Sequence, residues 1–340
     1  MISPQILQNL KQAKVMVIGD MIADQFVSGI PTRISREAPV LILEHEETKI
    51  LAGGAANTIA NLVDMGVKAY AVGVVGNDAT GKGLRSLLED KGVCTEGLIV
   101  HPERPTITKT RVWAGEPGSI KQQVVRIDQG IKTEIEPGIA EQLLVYVRET
   151  IGEIDAVLFS DYGYGLFPAT LAKALVDEAN RRGIVSAADS RYDLPRFSGA
   201  TVATPNKPES EALTGRRLVT DRDAEMIAQS LQRQLQLQAA VVTRGEDGMT
   251  IAQSDDLVYH IPAFNRSEVY DVTGAGDTVI AGLTAGLAAG ASIREAALLA
   301  NIAASIVIRR IGTVTVKFDE LQRAVEEYNR SQSKDPVITS

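Results

Sequence analysis

The sequence predicts an α/β protein: a central, mostly parallel sheet flanked by helices, with a small β-sheet lid. Three features lead there. Short Val- and Ile-rich runs recur along the chain, helical segments lie between them, and two stretches carry β patterning with no helix in between. Buried strands alternating with helices imply a parallel sheet covered on both faces.

Taken in order, strands are expected at VMVIGD (15–20), AYAVGVVG (69–76), DAVLFSDYG (155–163), GIVSAADS (183–190), ATVATPN (200–206) and AAVVTRG (239–245). Helical spacing marks AANTIANLVDMG, TGKGLRSLLEDKG, PATLAKALVDEANRRG and DRDAEMIAQSLQRQLQ, several of them closed by glycine. Segments 25–51 and 104–128 break that rhythm. They are expected to pair into one accessory sheet over the C-terminal edge of the main one, where such folds bind ligands. The plainer alternative is a pair of surface hairpins with no ligand role. The polar residues 329–340, NRSQSKDPVITS, are expected to form a frayed tail after a single domain of residues 1–328.

Composition narrows the function. The 340 residues are 44% hydrophobic, enough for a substantial core. With 35 basic and 43 acidic residues the net charge is −8, which argues against nucleic acid or an anionic membrane as partner. The amino-terminal MISPQILQNLKQAK lacks a signal-peptide core, and no apolar run approaches the ~20 residues of a spanning helix, so a cytoplasmic protein is expected. Cys94 is the single cysteine, and His45, His101 and His260 are scattered, so neither a disulfide nor a zinc site is expected.

The most informative stretch is YDVTGAGDTVIAGLTAG (270–286). Amides at a helix start carry partial positive charge, and glycines let a loop approach an anion closely. Gly274, Ala275 and Gly276 can present consecutive N–H groups, with Asp277 in the first helical turn beside them. A base that takes a proton from an attacking hydroxyl while the amides stabilise a phosphoryl group would explain the arrangement. An ordinary first-turn acid favoured by the helix dipole would explain it too. A second turn, GNDATGKG (76–83), nearly spells a P-loop, but position 83 is Gly where a hydroxyl is needed and Asp78 would stand inside the cradle. It reads as a strand-to-helix turn. IGDMIADQF follows the first strand in place of a dinucleotide fingerprint, which disfavours a dehydrogenase.

GGAANTIANLVDMG (53–66) and DVTGAGDTVIAG (271–282), in this order and separation, make the chain resemble the ribokinase-type (PfkB) sugar kinases over residues 14 to 328. Within that family PTRISREAPV (31–40), RPTITKTRV (104–112), VRID (125–128), SDYG (160–163), TPNKPESEALTG (204–215) and EVYDVTGAGDTV (268–279) are similar to the bacterial heptose-7-phosphate kinases. Some of those are fused to a nucleotidyltransferase; a stand-alone kinase is expected here. Two positions depart from the subfamily: Tyr164 stands where it carries lysine in SDYAKG, and Asp189-Ser190-Arg191 replaces its DPK.

The resemblance implies roles. Asp277 is the expected base, and Gly274, Ala275 and Gly276 the anion hole. Asp20, Gly53, Gly54 and Asn57 are expected at the sugar, with Asp24 a weaker candidate. Lys109 and Arg111, sharing one face of a strand, are expected at a substrate phosphate, drawn from a lid set that also holds Arg33, Arg36 and Arg126. For ATP, Asn206 and Glu209 are implied near magnesium, directly or through water, Thr243, Arg244 and Gly245 near the phosphates and ribose, and Asn301 near adenine. Asp271 and Thr273, with GTVTV (312–316), are candidates for a monovalent cation such as K⁺. The expected reaction is phosphorylation of D-glycero-D-manno-heptose 7-phosphate. A neutral-sugar or nucleoside kinase, or a non-catalytic sugar or nucleotide sensor, remains the alternative. A homodimer through the lid is expected, because a small two-sided sheet exposes edges a partner could cover.

Overall fold

The computed structural model describes residues 1–116, 118, 120–264 and 269–334. Pro117 and Ser119 of the second lid segment, Glu268 of the last quoted motif and tail residues 335–340 lie outside them.

The strands are β1 Lys14–Gly19, β2 Met21–Ile34, β3 Leu41–Gly54, β4 Lys68–Gly76, β5 Cys94–His101, β6 Ile107–Ala114, β7 Gln122–Gln129, β8 Ala156–Asp161, β9 Val185–Ser190, β10 Val202–Ala203, β11 Ala239–Thr243, β12 Met249–Gln253 and β13 Val258–Ile261. The helices are α1 Pro4–Leu10, α2 Ala55–Asp64, α3 Ala79–Asp90, α4 Pro137–Thr150, α5 Ala169–Arg182, α6 Lys207–Thr214, α7 Asp221–Gln234, α8 Ala275–Ala288, α9 Ile293–Val307 and α10 Phe318–Lys334.

The main sheet has nine strands in the order β13-β12-β11-β10-β9-β8-β1-β4-β5. From β11 to β5 all neighbours are parallel; β12 and β13 close one edge as an antiparallel meander. Each predicted strand falls on one of these elements, whereas β5, β12 and β13 were not anticipated. β5 mixes buried, half-buried and exposed positions, and the exposed Glu96 splits its short apolar stretch, so CTEGLIVH lacks the long apolar run of a strand covered on both faces.

Two apolar clusters lie on opposite faces of the sheet. One packs α1, α2, α8, α9 and α10 against it, the other α4, α5 and α7. The small residues of α8 serve this packing: a Cβ on Gly282 would come within 3.0 Å of Ala300 Cα, and one on Gly286 within 2.9 Å of Ala296 Cα, on α9. Those two glycines belong to a tight helix crossing, separate from Gly274 and Gly276 at the entrance to α8.

Both unusual segments join in a four-stranded sheet, β3-β2-β6-β7. β2 pairs antiparallel with β3 and parallel with β6, and β6 antiparallel with β7. The strands outreach the expected limits at the root, since β2 begins at Met21, one residue after the Asp20 that follows β1, and β3 runs to Gly54, where α2 starts. For residues 329–334 of the expected frayed tail the structure differs: α10 continues to Lys334, and the Asn329 side chain exchanges hydrogen bonds with the Ile2 backbone.

Candidate active site

The chain order places β1 beside β8 where the direction of sheet growth reverses, and open α/β sheets bind ligands beyond the carboxyl ends of their strands at such a point. A cleft of about 680 Å³ lies there. Its walls are strand ends and the turns that leave them: Asp161 at the end of β8 with Tyr162 after it, Asp189 near the end of β9 with Arg191 and Tyr192 after it, Asn206 and Glu209 after β10, Thr243 at the end of β11, with Gly274, Gly276 and Asp277 opposite.

Gly274 caps α8 in the left-handed region, φ +78°, with no side chain satisfying the first amides of the helix. A Cβ at Gly276 would meet nothing within 4 Å. The Ala275 N–H is taken by the Val272 carbonyl at 3.1 Å, so within this turn the space beside Gly276 is what stands open. Asp277, one residue on, is buried yet held by both oxygens: Asn57 Nδ2 donates to Oδ2 at 2.7 Å and the Tyr162 hydroxyl to Oδ1 at 2.5 Å. Burial pushes its pKa up, and the two donors oppose that by stabilising the ionised form.

Around Asp277 the expected sugar residues form a linked set, but they do not line the cleft itself. Asn57 touches Asp277 directly. Asp20 sits behind the turn after β8, where Oδ2 accepts from the backbone N–H groups of Tyr162 at 2.8 Å and Tyr164 at 3.2 Å. Burial and the neighbouring Asp161 raise the Asp20 pKa to about 7. Gly53 was expected to admit the sugar; the space beside it is filled by the Asp24 carboxylate, 2.7 Å from where a Cβ would stand. Gly54 turns at φ +54° against Ile22 and Asp20.

The lid cations divide. Arg111 is spent on Asp24, Nη1 to Oδ1 2.7 Å, and lies over the Phe26 ring. Arg126 forks onto Asp128 at 2.7 and 2.8 Å. Arg33 and Arg36 are exposed near the far turn. Lys109 has no carboxylate partner among the described residues; its ammonium rests 5.1 Å from the centre of the Tyr162 ring, and desolvation lowers its pKa.

On the nucleotide side, Asn206 and Glu209 form a capping box at the start of α6: Asn206 Oδ1 accepts from the Glu209 N–H at 3.0 Å and Glu209 Oε2 from the Asn206 N–H at 2.9 Å. Thr243 bridges to Asn206 across the sheet edge. Arg244, expected at the phosphates, is engaged elsewhere in this structure. Its guanidinium turns to Asp221 at 2.7 Å, with Thr250 and His260 beside it, and it does not line the cleft. Gly245 turns at φ +61° just after it. The cation that faces the cleft is Arg191. Asn301 uses its side-chain amide on the Pro262 carbonyl, 2.7 Å. Asp271 accepts from Thr273 N–H and hydroxyl and from Gly312 N–H, which joins the two segments considered for a monovalent cation.

Sequence reasoning gave no site role to Tyr162, Asp161 or Asp189. The signal was available, because all three stand at the carboxyl ends of β8 and β9. Asp161 holds its own turn through Gly163 N–H and the Ser190 hydroxyl. Asp189 is raised well above the usual carboxylate range by burial and by the nearby Glu209, Asp277 and Asp161.

Comparison with known proteins identifies the family and the fold. A family model described as pfkB family carbohydrate kinase matches residues 12–319. The chain is 36% identical over 337 residues to the bifunctional protein HldE of Paramagnetospirillum magneticum, covering 98% of this chain and 68% of that protein. With HldE of Helicobacter hepaticus it shares 37% over 313 residues, 92% of this chain and 63% of the relative. The chain thus spans about two thirds of the length of these relatives. Among solved structures, Arabidopsis thaliana ribokinase complexed with ribose and ATP superposes with a TM-score of 0.71 at 19% identity, covering 92% of this chain and 99% of that one. Escherichia coli phosphofructokinase-2 in complex with potassium gives 0.72 at 21%, covering 94% and 99%. The fold is ribokinase-like, and the chain belongs to the pfkB family of carbohydrate kinases.

Proposed function

We propose that the chain is an ATP-dependent kinase acting on a hydroxyl of a phosphorylated sugar, specifically the anomeric hydroxyl of D-glycero-D-manno-heptose 7-phosphate. The observation that carries the kinase reading is Asp277, an acid held by two donors beside the uncapped start of α8. In this reading Asp277 takes the proton of the attacking hydroxyl as its oxygen bonds to the γ-phosphorus. The bond to the β,γ-bridging oxygen breaks, ADP leaves, and the amides of Gly274, Ala275 and Gly276 stabilise charge on the transferring group. Arg191 replaces Arg244 as the side chain that neutralises phosphate charge.

The donor set suits magnesium carried by the nucleotide. Among the described residues no cluster of three or more His, Cys, Asp or Glu side chains could hold a metal ion. Mg²⁺ in such sites takes one or two carboxylates and completes its shell with phosphate oxygens and water. Glu209 and Asn206 would hold it, and the ion would neutralise phosphate charge. Asp271 and Thr273, drawn against residue 312, would form part of a K⁺ site.

The heptose assignment is supported by the subfamily motifs and by Lys109, which forms no close ion pair although Asp24 and Asp128 stand opposite it on the neighbouring strands. Every residue of β7 is exposed, including Val124, Val125 and Ile127, which supports a homodimer through this sheet. The four-stranded sheet would act as the lid that excludes water. No helix among the described residues is long and apolar enough to cross a membrane, which accords with a cytoplasmic enzyme.

A coupled ADP-release assay with heptose 7-phosphate, fructose 6-phosphate, ribose, fructose and adenosine tests the assignment. The expected outcome is a kcat/KM for the heptose phosphate at least about a hundredfold above the neutral sugars, since lost contacts to a charged group cost about 1.5–3 kcal/mol each. Equal turnover of ribose or fructose would overturn the phosphosugar reading.

A further inference from the structure

We propose that Tyr162 is a positioning residue that keeps Asp277 oriented through its hydroxyl while its backbone fixes the same turn to Asp20. The proposal rests on Asp277 being the base.

One residue meets three parts of the site. The Tyr162 hydroxyl donates to Asp277 Oδ1 at 2.5 Å, and its N–H donates to Asp20 Oδ2 at 2.8 Å. Its ring lies 5.1 Å from the Lys109 ammonium on β6. The Tyr162 phenol is thus fixed at both ends, by the backbone bond to Asp20 and by the hydroxyl bond to the carboxylate. Asp277 cannot rotate freely, because Asn57 from α2 holds its other oxygen.

Mere satisfaction of a buried hydroxyl would give the same hydrogen bond, but it would leave the function of Asp277 indifferent to the bond. The chemistry says otherwise. A carboxylate out of water is stabilised in its charged form by each donor it retains, and a hydrogen bond to a charged acceptor is worth more than a neutral one. Burial pushes the Asp277 pKa up, and the Tyr162 and Asn57 bonds pull against it. The phenol itself is raised well above its usual pKa by burial and the carboxylates, so it stays a donor at neutral pH. Other charged groups facing the pair are Lys109 on β6, Asp24 on β2, and Asp189 and Arg191 after β9. Tyr162→Phe leaves all of these in place, together with the ring and the backbone bond to Asp20.

The test is a titration that needs no turnover. With ¹³C-carboxyl-labelled aspartate, the Asp277 signal is identified as the one missing in Asp277→Asn, and its pKa is followed in wild type and Tyr162→Phe. Loss of the donor should raise it by about one to two pH units. Substituting 3-fluorotyrosine at 162, the same shape and a stronger donor, should lower it, which keeps the test valid if the phenylalanine variant does not fold. In the ADP-release assay the acidic limb of kcat for Tyr162→Phe should move up by the same amount, with KM for the sugar phosphate within about twofold of wild type. An Asp277 titration unmoved by both substitutions overturns the proposal. A shifted titration with full activity in Asp277→Asn would instead overturn the base assignment alone.

Discussion

The turn at 76–81 and the turn at 274–277 each lead into a helix past glycines and an aspartate, yet they are built to opposite ends. In the first, Asp78 caps α3 itself: Oδ1 accepts from Gly81 N–H at 2.7 Å and the Thr106 hydroxyl at 2.8 Å, and Oδ2 from Thr106 N–H at 2.8 Å. Gly76 and Gly81 are small because Thr106 and backbone carbonyls press against them. In the second, the acid stands inside the first turn, no side chain caps the helix, and there is open space beside Gly276. Donors lower the pKa of Asp78, whereas burial raises that of Asp277. An aspartate that satisfies a helix terminus stabilises the fold; one placed beyond those amides leaves them available to a ligand.

The largest effect that could break this contrast is Asp277→Asn. It should lower kcat by about 10² to 10⁴ while thermal unfolding stays near wild type, read from steady-state kinetics and a melting curve. Next comes Gly276→Ala, where a methyl enters open space in front of the amides. A kcat reduced about 10²-fold is expected, with no loss of melting temperature, since alanine favours a helix. A variant with intact kcat would show that the opening is idle.

Asp20→Asn should have a smaller, pH-dependent effect. The folded pKa of about 7 exceeds the 3.8 of the unfolded chain, so the folded state binds more protons between these values and loses stability as pH rises from about 4 through 7. The asparagine variant should lack this part of the decline, and KM for the sugar should rise about tenfold through the lost charged acceptor. Melting temperatures across that pH range provide the check. Smallest in activity is Asp78→Ala. It should cost about 1 to 2 kcal/mol of stability at neutral pH and leave kcat unchanged. With its pKa lowered in the fold, the Asp78 contribution is present above the unfolded value and fades as pH falls through the folded one, so wild type and variant should converge in acid. Denaturant melts at neutral and low pH would read both.

The sequence was most readable where a residue's role follows from its place on one element. The parallel strands other than β5 showed as apolar runs, and the false P-loop was betrayed by Asp78 and Gly83. Roles that depend on long-range pairing were less visible. Arg244 lies next to Thr243 in sequence, but whether its guanidinium faces the cleft depends on Asp221 and His260, which β12, β13 and α7 bring in from elsewhere. Arg111 reads as an available cation until β2 and β6 pair, with Asp24 opposite Lys109, and bring Asp24 within 2.7 Å of the Arg111 guanidinium two positions along the strand. Tyr162 gave no periodic signal at all, since its importance lies in meeting a residue 115 positions away.

The two longest strands make the four-stranded sheet a lever with a stiff root. β2 departs one residue after Asp20, β3 returns to Gly54, and around Gly53 there is no spare room beside Asp24. Regular pairing breaks farther out, between Ser28 and Gly29 and between Pro31 and Arg33. A strand bends and twists where its ladder is interrupted. In the proposed lid, bending would thus fall in the outer half, while the inner half keeps the Asp24–Arg111 pair in fixed alignment.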